Sequence, residues 1–204
     1  MPRHLCRLSS LRENVAGKLP ATAGWQPALP KYALDACHVG AIEVRDLSRD
    51  MSFRILTADH TGITVSNLEQ SLVFWRDVLG FELSHRAHQT GELAAEITGV
   101  PDAEISLAVL KAPGGHKIEL LQYTAPADRK HYVDLRPCDV GSVHVALTVD
   151  DLDAVLEKIA ASGWKAGRKP QTLTTGPNAG KRVMYVRDPD GTTIEFMQPP
   201  AQSG

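Results

Sequence analysis

Two histidines and two glutamates occupy matching places in an internal repeat. His60-Thr61-Gly62-Ile63-Thr64-Val65-Ser66-Asn67-Leu68 aligns without a gap with His144-Val145-Ala146-Leu147-Thr148-Val149-Asp150-Asp151-Leu152. The closing segments match as well, Pro113-Gly114-Gly115-His116-Lys117-Ile118-Glu119-Leu120-Leu121-Gln122 against Pro189-Asp190-Gly191-Thr192-Thr193-Ile194-Glu195-Phe196-Met197-Gln198. Each half therefore opens on a histidine and ends on a glutamate. Paired about a pseudo-two-fold axis, the halves would bring two imidazoles and two carboxylates to one point. Neighbouring buried carboxylates resist ionisation, and a divalent cation removes that objection. Two imidazoles plus two carboxylates, with positions left for water or substrate, suit Ni, Co, Mn or Fe, or a five- to six-coordinate Zn. The absence of thiolate argues against a closed structural zinc site. The competing reading of the same residues is a pair of His–Glu hydrogen bonds kept by a duplicated fold without metal.

These side chains need elements that aim them. Residues 55–65 alternate, with His60, Gly62 and Thr64 on one face and Thr61, Ile63 and Val65 on the other. Ser66 is placed as a helix cap, with Glu69 completing a capping box. Leu68, Leu72, Trp75 and Leu79 then form one helical stripe, Gly80 ends it, and Phe81 starts a strand. Further strands are expected near 81–88, 103–111 and 115–123, with 89–102 as a looser connection. The second half repeats this order: a strand over 143–149, Asp150 as cap with Asp153 behind it, and a helix stripe of Leu152, Val155, Leu156 and Ile159. Gly163 stops that helix, and strands follow near 165–171, 181–187 and 192–198. Two βαβββ units result, joined by a linker near 124–140. Parity places all four candidate ligands opposite their strands' helix-packing residues, and so on one concave surface.

Bulk properties exclude several classes. Acidic residues number 24 against 22 basic ones, a net charge of −2. No Lys/Arg stripe exists to neutralise phosphates, so nucleic acid is not an expected partner. No apolar run could cross a bilayer, so no membrane is expected either. Cys6, Cys37 and Cys138 are odd in number and widely spaced, which reads as reduced thiols in a cytoplasmic protein. Residues 1–53 differ in character and read as an N-terminal extension. Arg3, Arg7 and Arg12 are followed by Pro20, Pro27 and Pro30 without helical or strand period. A transit peptide is disfavoured by Glu13 and by the missing cleavage pattern. A disordered arm is a second reading. A start codon read too far upstream is the favoured one, because Met51-Ser52-Phe53-Arg54 stands just ahead of the first strand.

Over about 54–200 the chain resembles the vicinal oxygen chelate superfamily, which includes glyoxalase I, methylmalonyl-CoA epimerase, extradiol dioxygenases and bleomycin-resistance proteins. Asp59-His60-Thr61-Gly62-Ile63-Thr64-Val65 and Phe74-Trp75-Arg76-Asp77-Val78-Leu79-Gly80-Phe81 look like that family's first strand and helix. Asp188-Pro189-Asp190-Gly191 through Glu195 looks like its closing signature. The resemblance implies an α+β fold, a glyoxalase-like curved mixed sheet built from modules 54–124 and 140–200. It also implies a divalent metal held by His60, Glu119, His144 and Glu195, and a homodimer.

The glyoxalase I and epimerase branch implies a lyase or isomerase. There the metal polarises a substrate carbonyl, and Glu195 or Glu119 serves as the base that moves a proton on the adjacent carbon. A thioester or hemithioacetal is the implied small-molecule substrate class. The chain departs from both enzymes. Gln122-Tyr123-Thr124 stands where glyoxalase I carries an Asn that helps hold glutathione, and the epimerase's paired histidines and His-Pro-Lys segment become Val143-His144 and Arg187-Asp188-Pro189. Two alternatives stay open. One is an extradiol dioxygenase with Fe(II) on His60, His144 and Glu195, although Glu119 fills a position those enzymes leave free. The other is a metal-free antibiotic-binding protein, although such proteins dispense with the ligands kept here. Among other polar residues, His85, Arg86 and His88 read as surface or pocket mouth. Arg129, Lys130 and His131 read as a solvated loop rather than a site for an anionic tail, and Tyr185 reads equally as a residue that reaches the site or as a packed strand tyrosine.

Overall fold

Strand and helix follow one another in the two halves in the same order apart from one extra helix in the first, and the opening and closing strands of each half pair in the same register. The computed structural model describes residues 53–165 and 167–201, and the readings of residues 1–52, with Cys6 and Cys37, lie outside that range. The first half comprises β1 (His60–Thr64), α1 (Leu68–Leu72), β2 (Glu82–Gln89), α2 (Gly91–Thr98), β3 (Glu104–Lys111) and β4 (Lys117–Ala125). The second comprises β5 (His144–Thr148), α3 (Leu152–Ala161), β6 (Gln171–Thr172), β7 (Arg182–Arg187) and β8 (Thr193–Gln198). They form two four-stranded mixed sheets ordered β1-β4-β3-β2 and β5-β8-β7-β6. In each, the opening strand lies parallel to the closing one: Gly62 faces Glu119 and Ala146 faces Glu195. The expected α+β class holds.

Local chemistry explains the boundaries. Asn67, not Ser66, caps α1, its side chain accepting the Gln70 N–H at 3.0 Å. Asp151, not Asp150, caps α3 by accepting from Asp153 and Ala154 at 3.0 Å each. Both corrections shift by one residue in the same direction, because the capping oxygen must reach N–H groups two or three residues ahead. Past Leu72 the helix continues over Val73–Val78 as a π-helix, with Leu79 N–H donating to the Phe74 carbonyl at 3.0 Å. The wider turn adds Phe74 and Val78 to the buried face beside Leu68, Leu72 and Trp75.

Residues 89–102, expected as a loose connection, contain α2. Its sequence is rich in helix formers, but it turns Ala94 inward and leaves Leu93 and Ile97 exposed. An outward-facing apolar pair hides the helical stripe from pattern reading. The strand expected over 165–171 shrinks to β6, after Gly167 and Pro170.

One core unites the halves. Ile63, Leu72, Phe74, Trp75, Ile118 and Leu120 share it with Leu152, Ile159, Ile194 and Phe196. Phe74 meets Trp164 edge-on, with centroids 5.1 Å apart. The closing turn carries a buried carboxylate, Asp188. Its Oδ1 accepts the N–H groups of Asp190 (3.0 Å) and Thr192 (2.7 Å). The Trp75 indole lies close by, yet neither Trp75 Nε1 nor Asp188 Oδ2 makes a hydrogen bond of normal geometry. No described helix is long and apolar enough to cross a membrane.

Candidate functional site

Strand parity puts the ligand candidates where expected within each half. Ile118 and Leu120 are fully buried against the helices, so Glu119 between them projects from the other face. Ile194 and Phe196 flank Glu195 in the same way. His60 Nε2 lies 3.3 Å from Glu119 Oε2, and His144 Nε2 lies 3.2 Å from Glu195 Oε2. The carboxylates are recessed, at 22% and 18% side-chain exposure, while the imidazoles are open at 43% and 45%. Gly62 and Ala146, opposite the glutamates in register, are too small to cover them.

The expectation that all four meet within one chain does not hold. Among the described residues no group of three or more His, Cys, Asp or Glu side chains is placed to hold a metal ion. The reason lies in the core. The helix-covered faces of both sheets pack into one cluster, and each His–Glu pair sits on the face of its sheet turned away from that cluster. The chain thus carries two separate His–Glu pairs, one in each half.

The two pairs differ in their surroundings. Around the first, Asp59 Oδ1 lies 2.9 Å from His60 Nδ1 and accepts from Lys117 Nζ at 2.8 Å. The Lys117 ammonium first, and His60 second, hold the Asp59 carboxyl below the usual carboxylate range. Val109 faces Glu119 across the ladder, and buried Ile105 and Leu107 with partly buried Leu121 and Tyr123 extend this into an apolar floor. Around the second, Tyr185 faces Glu195, its ring 5.4 Å from the His144 ring, and is 43% exposed. Tyr185 therefore does reach the site. Asp59, Lys117 and the apolar floor had no role in the sequence reading. Asp59 beside the histidine was a usable signal, and Lys117 was not, because its closeness depends on parallel pairing of β1 with β4.

The remaining polar candidates separate. His85 lies in register with Val109, on the Glu119 face, whereas Arg86 pairs with Glu69 on the helix side, Nη2 to Oε2 at 2.9 Å. His88 contacts Glu104 at 3.3 Å. Arg129, Lys130 and His131 line a cavity of about 210 Å³ with Thr64 and Tyr123. A larger cavity of about 580 Å³ lies on the helix side, between Phe81 and Ile118 of one half and Val145, Leu147 and Val155 of the other. Its lining is mainly apolar, with His116, Asp151 and Lys158 among the polar side chains.

The donor sets fit a divalent cation. With Nδ1 donating to Asp59, a neutral His60 turns the lone pair of Nε2 toward a carboxylate oxygen. Two acceptors facing each other at that distance repel unless a cation lies between them. Two such pairs would supply a His2Glu2 set without sulfur, suited to Ni, Co, Zn, Mn or Fe.

Comparison with known proteins places the chain in a family context. The sequence model of the Glyoxalase/Bleomycin resistance protein/Dioxygenase superfamily matches residues 57–196. A 2-epi-5-epi-valiolone epimerase from Actinomyces sp. is 33% identical over 150 residues, covering 70% of this chain and 79% of that protein. A lactoylglutathione lyase from Neisseria meningitidis is 29% identical over 141 residues, 68% of this chain and 88% of the relative. A glyoxalase family protein from Bacillus cereus superimposes with a TM-score of 0.63 at 24% identity, over 74% of this chain and 98% of that one, and shares the fold.

Proposed function

This chain belongs to the Glyoxalase/Bleomycin resistance protein/Dioxygenase superfamily, and from its paired ligands we propose a divalent-metal-dependent lyase or isomerase that moves a proton on carbon next to a carbonyl. The observation that carries this reading is the twin His–Glu geometry, repeated in the same register on both sheets. The relatives named as an epimerase and as a lactoylglutathione lyase fit that chemistry.

His60, Glu119, His144 and Glu195 would hold the ion. When bound, it would polarise the substrate carbonyl and so acidify the neighbouring C–H. One of the glutamates, Glu195 or Glu119, takes the proton from carbon and returns it to the same or the adjacent carbon. Their recessed carboxylates are shielded on the sheet side yet open past Gly62 and Ala146. The apolar floor of Ile105, Leu107 and Val109 would seat the substrate's carbon skeleton beside the first pair.

A second copy of the chain would complete the site. Each copy offers one pair from each half, so a two-fold dimer can join the first half of one to the second half of the other. Val143, directly before His144, is 72% exposed, and Ile55 and Leu56, ahead of β1, are more than 80% exposed. Such apolar surface beside the pairs is what a partner would cover.

Deuterium incorporation from heavy water tests the reaction. The panel is the hemithioacetal of methylglyoxal with glutathione, methylmalonyl-CoA and 2-epi-5-epi-valiolone. Carbon-bound deuterium next to the carbonyl is expected with one of them, and Glu195→Gln should abolish it while the protein stays folded. Oxygen uptake with a catechol and Fe(II), without exchange on any of the three, would contradict the reading.

A further inference from the structure

We propose that Asp59 and Lys117 form a positioning relay that fixes the His60 ring for metal ligation, a device present in the first half only. This rests on the reading of His60 as a ligand. A single oxygen, Asp59 Oδ1, receives both partners: Lys117 Nζ at 2.8 Å and His60 Nδ1 at 2.9 Å. An ionised carboxylate only accepts, so Nδ1 must carry the proton. That choice of tautomer leaves Nε2 as the bare donor, aimed to within 3.3 Å of Glu119 Oε2. The β1–β4 ladder sets Lys117 directly opposite His60, which brings its ammonium to the carboxylate across the strands. Lys117 also balances the charge of Asp59, so the relay adds little net negative charge beside the Glu119 carboxylate.

The repeat supplies an internal control. At the places matching Asp59 and Lys117 the second half has Val143 and Thr193, which provide neither carboxylate nor cation. Yet β5 and β8 pair in the same register, and His144 still reaches Glu195 at 3.2 Å. The same strand pairing and His–Glu approach therefore form in the second half without a relay. What the relay adds is the orientation of one imidazole, through an outer hydrogen bond of the kind that tunes metal-bound histidines. In the second half the neighbour of His144 is instead the Tyr185 ring.

The test measures Zn(II) binding to the full-length protein by competition with a chelating dye. Asp59→Asn should weaken binding on the order of 10–100-fold. Asp59→Glu should keep most of the affinity, and Lys117→Met should lose less than Asp59→Asn. Asp153→Asn, which breaks the remote pair with Arg182, should change nothing. Imidazole nitrogen NMR on the metal-free protein at mildly alkaline pH supplies a readout independent of metal. His60 should hold the Nδ1–H tautomer in the unaltered protein and become a mixture in Asp59→Asn, while the His144 signals stay put. If Asp59→Asn does not fold, Asp59→Ala carries the same comparison. Unchanged affinity and an unchanged His60 tautomer in the variants would overturn the relay alone. An unaltered protein that binds neither Zn(II) nor Ni(II), Co(II), Mn(II) or Fe(II) would overturn the proposed function and the relay together.

Discussion

His60→Ala and His144→Ala damage different His–Glu pairs, and mixing them reveals whether those pairs meet within a chain or between chains. In the proposed dimer each variant alone should lose tight metal binding at both sites, by well over the ~10–100-fold that an outer partner is worth. In a dimer of one His60→Ala chain with one His144→Ala chain, the outcome depends on how the pairs combine. If the first half of one copy meets the second half of the other, one site lacks both histidines and the other keeps all four ligands. Random exchange gives about half mixed dimers, each with one of two sites intact, so about one quarter of all sites recover. Purified through two different tags, the mixed dimer should hold one tightly bound ion, against two for the unaltered dimer. Sites built within single chains would each keep a defect, and no ion would return. That result would refute the assignment drawn from the two separate pairs.

The caps and the buried carboxylate give further predictions. Asn67→Ala should destabilise the protein by about 1 kcal/mol, and Asp151→Ala by about as much, whereas Ser66→Ala should cost little. Urea unfolding decides this, and a larger loss at Ser66 would refute the cap assignment. At Asp188, burial raises the carboxyl's pKa, and the N–H groups of Thr192 and Asp190 oppose that only in part. A raised folded-state value means that Asp188 contributes most below its unfolded pKa, and that this contribution is lost as pH rises through the folded one. The stability of Asp188→Asn relative to the unaltered protein should therefore improve from acid toward neutral pH. A constant difference, or the opposite trend in urea midpoints, would contradict it.

Much of the site was readable in the chain because two copies of one pattern check each other. The parity of Glu119 between Ile118 and Leu120, and of Glu195 between Ile194 and Phe196, follows from alternation alone, and the strands obey it. What the pattern could not carry was the packing of the halves. Trp164 meets Phe74 and helps join the two helix-covered faces, which keeps the His–Glu pairs apart. The α2 helix escaped because Leu93 and Ile97 face outward and only Ala94 is buried. Lys117 gained its place beside Asp59 only through parallel pairing across 58 positions of sequence.

Elemental analysis of the purified protein, joined to its mass in solution, should find a dimer with one divalent ion per chain, lost when either Glu119 or Glu195 becomes Gln. A protein that is fully active without a divalent ion, or that retains its ion when His60 and His144 are both replaced by Ala, would contradict the proposed function.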